Sequence, residues 1–155
     1  MRIAKQLSVR LVNKPGRLAA MLGALNKRKV TLRALVVMDS GDRGTIRFVP
    51  DDFQAAAEVL DSVNIRHDDA EVLLVEVPNQ PGAFRKICER LAAYHLNIDY
   101  AYSSFGGEPG TKGGALAVIK VNDLGKAQKV LSENGATGRR KQSGVPVRRP
   151  QMRIH

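Results

Sequence analysis

The sequence predicts an α+β fold in which one βαββαβ unit occurs twice. The first observation is a repeated joint: Asn13–Gly16 and Asn79–Gly82 both read N-x-P-G, and each follows an apolar run. The second is the order of periodicities, because each joint is followed by a helical segment, two strand-like segments and a second helical segment. One unit of about 65 residues is near the lower limit of independent stability. We therefore expect an intrachain pair related by a pseudo-twofold axis.

The first unit is predicted to occupy residues 1–70. Alternating apolar and polar side chains indicate a half-buried strand, and apolar residues three and four positions apart indicate a helix with one buried face. The elements are strand Leu7–Val12, a helix carrying Leu18, Met21, Leu22 and Leu25, strands Thr31–Met38 and Thr45–Val49 around the turn Ser40–Gly44, a helix capped by Asp51 or Asp52 and carrying Phe53, Ala56, Ala57 and Leu60, and a short closing strand near Ile65.

The second unit, predicted over residues 71–135, repeats this order. Its elements are strand Val72–Val77, a helix carrying Phe84, Ile87, Cys88 and Leu91, strands Asn97–Ser104 and Ala115–Val121, and a helix carrying Leu124, Ala127, Val130 and Leu131. Its closing strand is absent, short, or supplied by Val145–Val147 or the end of the chain. A missing strand would expose a sheet edge and favour pairing with another chain.

The net charge of +10 is concentrated at the C-terminal end of the chain. Glu133 is the last acidic residue, and six Lys or Arg residues follow it. Residues 136–155 are therefore predicted to form a basic tail outside the two units. A tail of this kind attracts RNA or DNA non-specifically and with steep salt dependence. A solvated tail without a specific role is the simpler interpretation.

Composition also bears on the compartment. No apolar run approaches the ~20 residues that a membrane helix needs, and the first residues lack the apolar region of a signal peptide. The single cysteine, Cys88, excludes an intrachain disulfide and fits a reducing environment. We expect a cytoplasmic protein.

Each N-x-P-G joint combines three properties. Proline fixes φ, glycine allows unusual backbone angles and close approach, and the following helix presents unpaired N–H groups. Such a joint can hold a carboxylate or a phosphate, and it can equally be only an efficient helix start.

The joints and the segments after them resemble the ACT domain, a small-molecule-binding regulatory module with a ferredoxin-like βαββαβ unit. The residues that carry the resemblance are Glu76–Phe84 and His95–Tyr100 in the second copy, and Leu11–Leu18 in the first. Over residues 6–133 the chain is similar to free-standing tandem ACT proteins, which have no attached catalytic domain. In that fold both helices of a unit cover one face of an antiparallel sheet.

The resemblance implies a non-catalytic sensor, without a cofactor, that binds an amino acid at the interface between paired units. The candidate protein partners are a second copy of the chain and a regulated enzyme or other protein; nucleic acid and membrane are not expected. Carried over by position, the candidate ligand-binding residues are Asn13, Gly16, Arg17 and Leu18 at the first joint, Asn79, Gly82, Ala83 and Phe84 at the second, and Asn97, Ile98 and Asp99 on the second strand of the second unit.

The two copies differ in a charge that an amino acid would contact. The side-chain oxygens of Asn79 and Asp99 could accept hydrogen bonds from an ammonium group, whereas Arg33 replaces Asp99 in the first copy and would repel it. We therefore expect unequal clefts. Tyr100 and Tyr102 share one strand face, and both a cleft wall and an interface between units are open roles for them.

The sequence departs from the ACT pattern where the first helix of each unit ends. The family commonly has a glycine in the left-handed conformation there, whereas Lys29 and His95 hold these places. The turn is therefore either strained or built differently.

Other functional signals are weak. No nucleophile–base pair, carboxylate dyad or metal signature is evident, so catalysis and a metal site are not expected. His67 and its acidic neighbours are interpreted as a solvated connector. Gly106–Gly114 is interpreted as a flexible hairpin, because this segment lacks the spacing of a phosphate-binding loop. The alternative function is nucleic-acid binding by a ferredoxin-like sheet together with the basic tail. With 5% aromatic residues, a base-stacking platform is poorly supported.

Overall fold

A computed structural model describes residues 1–12, 14–104 and 114–132. Six strands form one antiparallel sheet in this part of the chain, and helices cover it. The elements are β1 (Arg2–Val12), α1 (Arg17–Lys27), β2 (Leu32–Ser40), β3 (Arg43–Pro50), α2 (Phe53–Ser62), β4 (His67–Val77), α3 (Ala83–Ala93), β5 (Ile98–Ser103), β6 (Ala115–Val121) and a helical segment at residues 124–132, here α4. The predicted α+β fold with duplicated ferredoxin-like units is confirmed.

The centre of the sheet is the pair β1 and β4. The strand order is β2-β3-β1-β4-β6-β5. The N-terminal halves of β1 and β4 pair with each other, from Arg2 opposite Leu74 to Val9 opposite His67. Lys5 lies opposite Glu71 in this ladder, and the two hold the same place before their joints. The expected pseudo-twofold axis therefore passes between them.

Within residues 1–12, 14–104 and 114–132, this pairing explains how six strands build two units. In each unit the strands lie across the sheet in the order second, third, first. The next position, which a fourth strand of the same unit would fill, is filled by the first strand of the other unit. The closing strand expected near Ile65 is wrong in detail, because the strand begins at His67 and continues into the second unit as β4. His67 and its acidic neighbours thus belong to a strand rather than to a connector.

In the second unit, the beginning of β1 occupies the position of the fourth strand. The sequence pattern did not predict that the first unit would supply this strand. The candidates Val145–Val147 and the end of the chain lie outside the described residues, as does the hairpin loop apart from Gly114.

Helices cover the outer face of each half of the sheet, as predicted. In the first unit, Leu25 of α1 and Leu60 of α2 pack on Leu7, Ile46 and Phe48. In the second unit, Ile87 and Leu91 of α3 join strand residues and α4 in a separate cluster. Each unit therefore has its own helix-covered core.

A third apolar cluster lies on the opposite face of the sheet and combines both units. It contains Ala34 and Val49 from the first unit and Val72, Leu74, Leu116 and Val118 from β4 and β6. The edge strands β2 and β5 also approach each other through a bridge between Ala34 and Ser104. The sheet is therefore curled, and its inner face is the contact between the two units.

A buried polar network crosses this inner face. Gln6 is fully buried, its Nε2 donates to the hydroxyl of Tyr100 at 2.6 Å, and the hydroxyl of Tyr102 donates to its Oε1 at 2.7 Å. Burial, followed by the neighbouring Tyr100, raises the pKa of Tyr102 above its ordinary value, so the phenol stays neutral at physiological pH. The two tyrosines therefore lie at the interface between units.

The helix ends that depart from the ACT pattern are left-handed. Lys29 and His95 each have φ of 57°. In the first unit the N–H of Val30 donates to the carbonyl of Leu25 at 3.1 Å, which closes the helix with the six-to-one bond of a Schellman motif. A side chain with a Cβ is strained in this conformation.

We expect Lys29→Gly to raise the free energy of unfolding by about 1 kcal/mol or slightly less, because glycine relieves the left-handed strain but gains freedom in the unfolded chain. Chemical denaturation with an unchanged m-value measures the effect. Lys27→Gly is the matched control: it removes the same charge inside α1 and should destabilise the protein. Equal destabilisation by both would contradict the strain at Lys29.

Candidate functional site

The two joints share one backbone geometry. Gly16 and Gly82 are the N-cap residues of α1 and α3, with φ of 86° and 76°, and neither helix has a side-chain cap. In contrast, Asp52 caps α2 by accepting the N–H of Ala55, and Asp123 accepts the N–H of Lys126 in α4. The helices that follow the joints are thus the ones that begin without a side-chain acceptor among the described elements.

Free backbone donors follow from this geometry. In the second joint the N–H of Ala83 donates to the carbonyl of Gln80 at 3.2 Å. Within the described residues, no acceptor is found for the N–H groups of Phe84 and Arg85. Phe84 is 39% exposed, so this helix start faces solvent. It can therefore receive an anionic group.

The first joint is only partly described, because Asn13 lies outside the described residues. Gly16 and Arg17 are exposed, and Leu18 packs against the first core. The N–H of Arg17 donates to the carbonyl of Lys14 at 3.3 Å, which matches the bond at Ala83.

The candidate residues on β5 lie far from the joint of their own unit. Ala101 and Leu73 both pair with Ile119 of β6, so they lie at the same level across the sheet. Asp99, two residues before Ala101, is therefore level with the middle of β4. Asn79 follows the C-terminal end of β4. Along the strand direction, Asn79 and Asp99 are separated by roughly 20–25 Å, at about 3.3 Å per residue. Asn79 and Asp99 are therefore not brought together.

The segment Asn97–Asp99 has local structural partners instead. The Asn97 side chain donates to the Asp99 carboxylate at 3.0 Å, and the Asn97 N–H donates to the side-chain oxygen of Asn122 at the same distance. Ile98 packs against the second core. These contacts fix the start of β5 beside the start of α4.

A pocket of about 590 Å³ adjoins the second joint, between the end of β4, α3 and the end of α4. Glu76 and Gln80 line it from the strand and the joint, and Ala83 from the helix start. Lys86 and Arg90 lie one helical turn apart on α3 and also line it. Glu76 borders the pocket from the strand, but its side chain projects to the sheet face opposite that of Val75, which packs with α3 in the second core. Two cations, Lys86 and Arg90, therefore face the pocket from α3.

A larger open groove of about 1360 Å³ adjoins the first joint. It lies between the C-terminal half of β1, the start of β3 and the connection from α2 to β4. Its ionic lining consists of Arg10, Arg17, Arg43, Arg47 and Arg66 together with Asp61, Asp68 and His67. Five arginines and two aspartates thus line the groove, whereas two cations and one carboxylate line the second pocket.

Sequence reasoning missed most of the pocket side chains. Glu76 belongs to the ACT-like motif but was not among the candidate ligand-binding residues, and Lys86 and Arg90 had no assigned role. The available signal was that Lys86 lies four residues after Gly82 and Arg90 four residues after Lys86, which places both on one helix face beside the joint. Of the candidates, Ala83 and Arg17 line the two cavities.

Within the described part of the chain, no group of His, Cys, Asp and Glu residues could hold a metal ion. No helix there is long and apolar enough to cross a membrane.

Known proteins share this architecture. A family model described as an ACT domain pair matches residues 1–137. A solved protein of Bacteroides thetaiotaomicron is 32% identical, with 86% of this chain and 89% of that chain covered and a TM-score of 0.78. No curated protein matches the sequence.

Two further solved structures are similar in fold. The ligand-free regulatory subunit of aspartate kinase from Thermus thermophilus is 18% identical, with 86% of this chain and 97% of that chain covered and a TM-score of 0.60. Aspartokinase III of E. coli, in complex with lysine and aspartate, is 14% identical, with a TM-score of 0.55; the match covers 88% of this chain and 31% of that one.

Proposed function

Because the chain belongs to the family of ACT domain pairs, we propose that it is a regulatory protein that binds an amino acid and has no catalytic activity of its own. The observation that carries this proposal is the pocket at the second joint, where Gln80, Lys86 and Arg90 line a cavity beside an uncapped helix start. An amino acid is a zwitterion, and this pocket offers groups for both of its charges.

Each charged group of the amino acid has a proposed partner at the second joint. The ligand carboxylate would lie at the start of α3, near the N–H groups of Phe84 and Arg85 and the cations Lys86 and Arg90. The ligand ammonium would be held by the side-chain oxygen of Gln80, which lines the pocket from the joint. Asn79, one residue before Gln80, is exposed at the rim. The volume of about 590 Å³ suits a small ligand.

Two comparisons support the ligand class. The E. coli aspartokinase of similar fold was solved with lysine and aspartate, which are both amino acids. The Thermus relative is a regulatory subunit, not a catalytic one. A partner enzyme, or a second copy of this chain, would read the ligand-bound arrangement of the two units.

The shared sheet gives binding a route to the whole molecule. The pocket lies at the end of β4, whose other half pairs with β1 of the first unit. A ligand that binds one arrangement of the units more tightly stabilises that arrangement. The regulated partner would be sensitive to that arrangement.

We expect at least one of the twenty amino acids to raise the melting temperature, by linkage. Lys86→Gln should then weaken its binding about tenfold or more, as measured by isothermal titration, because a charged partner of the ligand carboxylate is lost. Lys126→Gln is the matched control, since Lys126 is exposed on α4 and does not line the pocket.

Asn79→Ala should give a smaller loss, as expected of a rim residue. Equal affinity in Lys86→Gln and the wild type would exclude this pocket as the site. If no amino acid shifted the melting temperature and single-stranded RNA did, nucleic-acid binding would replace the proposal.

A further inference from the structure

The inner sheet face of the first unit is cationic near the first joint. In the register of β1 and β3, Ser8 lies opposite Arg47, Arg10 opposite Thr45, and Val12 opposite Arg43. Because residues two apart on a strand share a face, Arg10, Arg43 and Arg47 project from the same side of the sheet. All three line the groove of about 1360 Å³.

The second unit provides an internal control for this face. Counted back from the glycine of each joint, Glu76 corresponds to Arg10 and Leu74 to Ser8. Their partners on the third strand are Leu116 and Val118, where the first unit has Thr45 and Arg47. Leu74, Leu116 and Val118 are buried in the cluster between the units. The same fold is therefore built without arginine at these positions.

The carboxylates of the groove do not balance its cations. Five arginines and two aspartates line it, and Asp61 is engaged by His67, whose Nε2 lies 2.9 Å from its Oδ1. No ion pair involves Arg10 or Arg66 within residues 1–12, 14–104 and 114–132. Like charges at this density repel one another unless an anion is bound.

Arg47 adds an independent observation. Its Nε is buried and has no hydrogen-bond partner in the described structure. Its guanidinium stacks on the ring of Tyr100 at 4.0 Å, and the nearest polar contact of Nη1 is the sulfur of Met38 at 3.8 Å. An unpaired buried donor is costly, so such groups usually have a partner. This donor belongs to a side chain that lines the groove.

We propose that the arginine groove, defined by Arg10, Arg43, Arg47 and Arg66, is a second ligand site that binds a small molecule with two or more negative charges. Planar guanidinium groups bind carboxylate and phosphate oxygens in bidentate fashion, which suits a phosphorylated or polycarboxylate ligand. This site is distinct from the amino-acid pocket at the second joint, and its existence does not depend on that pocket.

A nucleic acid fits the groove less well than a small anion. Single-strand binding uses aromatic side chains on which successive bases stack. The described lining of the groove contains neither Phe nor Tyr. Tyr100 lies against Arg47, and its hydroxyl is bonded to Gln6.

Isothermal titration of the full chain with inorganic pyrophosphate and with citrate, at constant ionic strength, tests the proposal. We expect saturable binding with one site per chain; the tighter of the two probes identifies phosphate or carboxylate as the preferred chemistry. Arg10→Gln and Arg66→Gln should each weaken binding about tenfold. Both residues are exposed, so neither change should prevent folding.

Arg85→Gln is the charge-matched control, because Arg85 is exposed on α3, pairs with Glu89 and lies outside the groove. It should leave the affinity unchanged. Tyrosine emission gives a second readout, since the chain has three tyrosines and no tryptophan. Binding should change this emission through Arg47 and Tyr100, and Arg47→Gln should abolish the change.

Three outcomes would overturn the proposal: no saturable binding of either probe, equal weakening by Arg85→Gln and Arg10→Gln, or binding of single-stranded RNA alone. None of them bears on the amino-acid pocket, because Lys86→Gln tests that pocket separately. Binding of an amino acid without saturable binding of either anionic probe would leave the first proposal standing while the second fails.

Discussion

Gln6→Leu is expected to lower the free energy of unfolding by about 2 to 4 kcal/mol, because in a half-buried site it leaves the Tyr100 hydroxyl without its donor and the Tyr102 hydroxyl without its acceptor. The side chain itself is fully buried, so leucine fills a similar volume without exposing apolar surface. Denaturant titration with an unchanged m-value measures the loss.

The triple variant Gln6→Leu, Tyr100→Phe, Tyr102→Phe separates lost hydrogen bonds from altered packing. Replacing both partners of a buried hydrogen bond by apolar groups is nearly neutral, so the triple variant should recover much of the stability. If it were as unstable as Gln6→Leu, packing and not the polar network would explain the effect. Because this network joins β1 to β5, it also reports on the contact between the units.

Leu91→Ala is expected to lower the free energy of unfolding by about 2 to 5 kcal/mol, since Leu91 is fully buried in the second core and its removal leaves a cavity. The whole protein should lose this stability in one transition. The physical reason is the shared sheet, in which β1 and β4 each belong to both units.

Hydrogen exchange measures the stability of the two units separately. In Leu91→Ala, the amides of α1 in the first unit should lose protection together with those of α3. Leu25→Ala is the mirror experiment, because Leu25 is equally buried in the first core and its loss should affect α3 in turn. Wild-type protection of one unit while the other opens would show that the units fold independently.

Local patterns predicted the elements because these patterns are set by neighbouring residues. The N-x-P-G joints marked both helix starts, and Gly16 and Gly82 adopt the positive φ that only glycine accepts readily. Apolar spacing identified the faces of α1 and α3 that are buried. Lys29 and His95 were recognised as unusual for the same reason, since helix termination is a local geometric requirement.

The charge difference that the sequence placed at Asp99 and Arg33 is not found at either cavity. That comparison predicted unequal clefts, whereas neither residue is among those that line the cavities. Asp99 could be placed only by strand register, which depends on long-range pairing between β4, β6 and β5. A sequence pattern of period two does not contain that information.

The sequence by itself determined a duplicated unit, the positions of its helices and the backbone of its two joints, because each depends on side chains within a few positions along the chain. Only the tertiary structure decided that β1 and β4 are shared between the units. It also decided that Lys86 and Arg90 lie beside one joint while arginines gather at the other. These features depend on which strand lies beside which, and that choice is made by burial of the whole sheet rather than by any local segment.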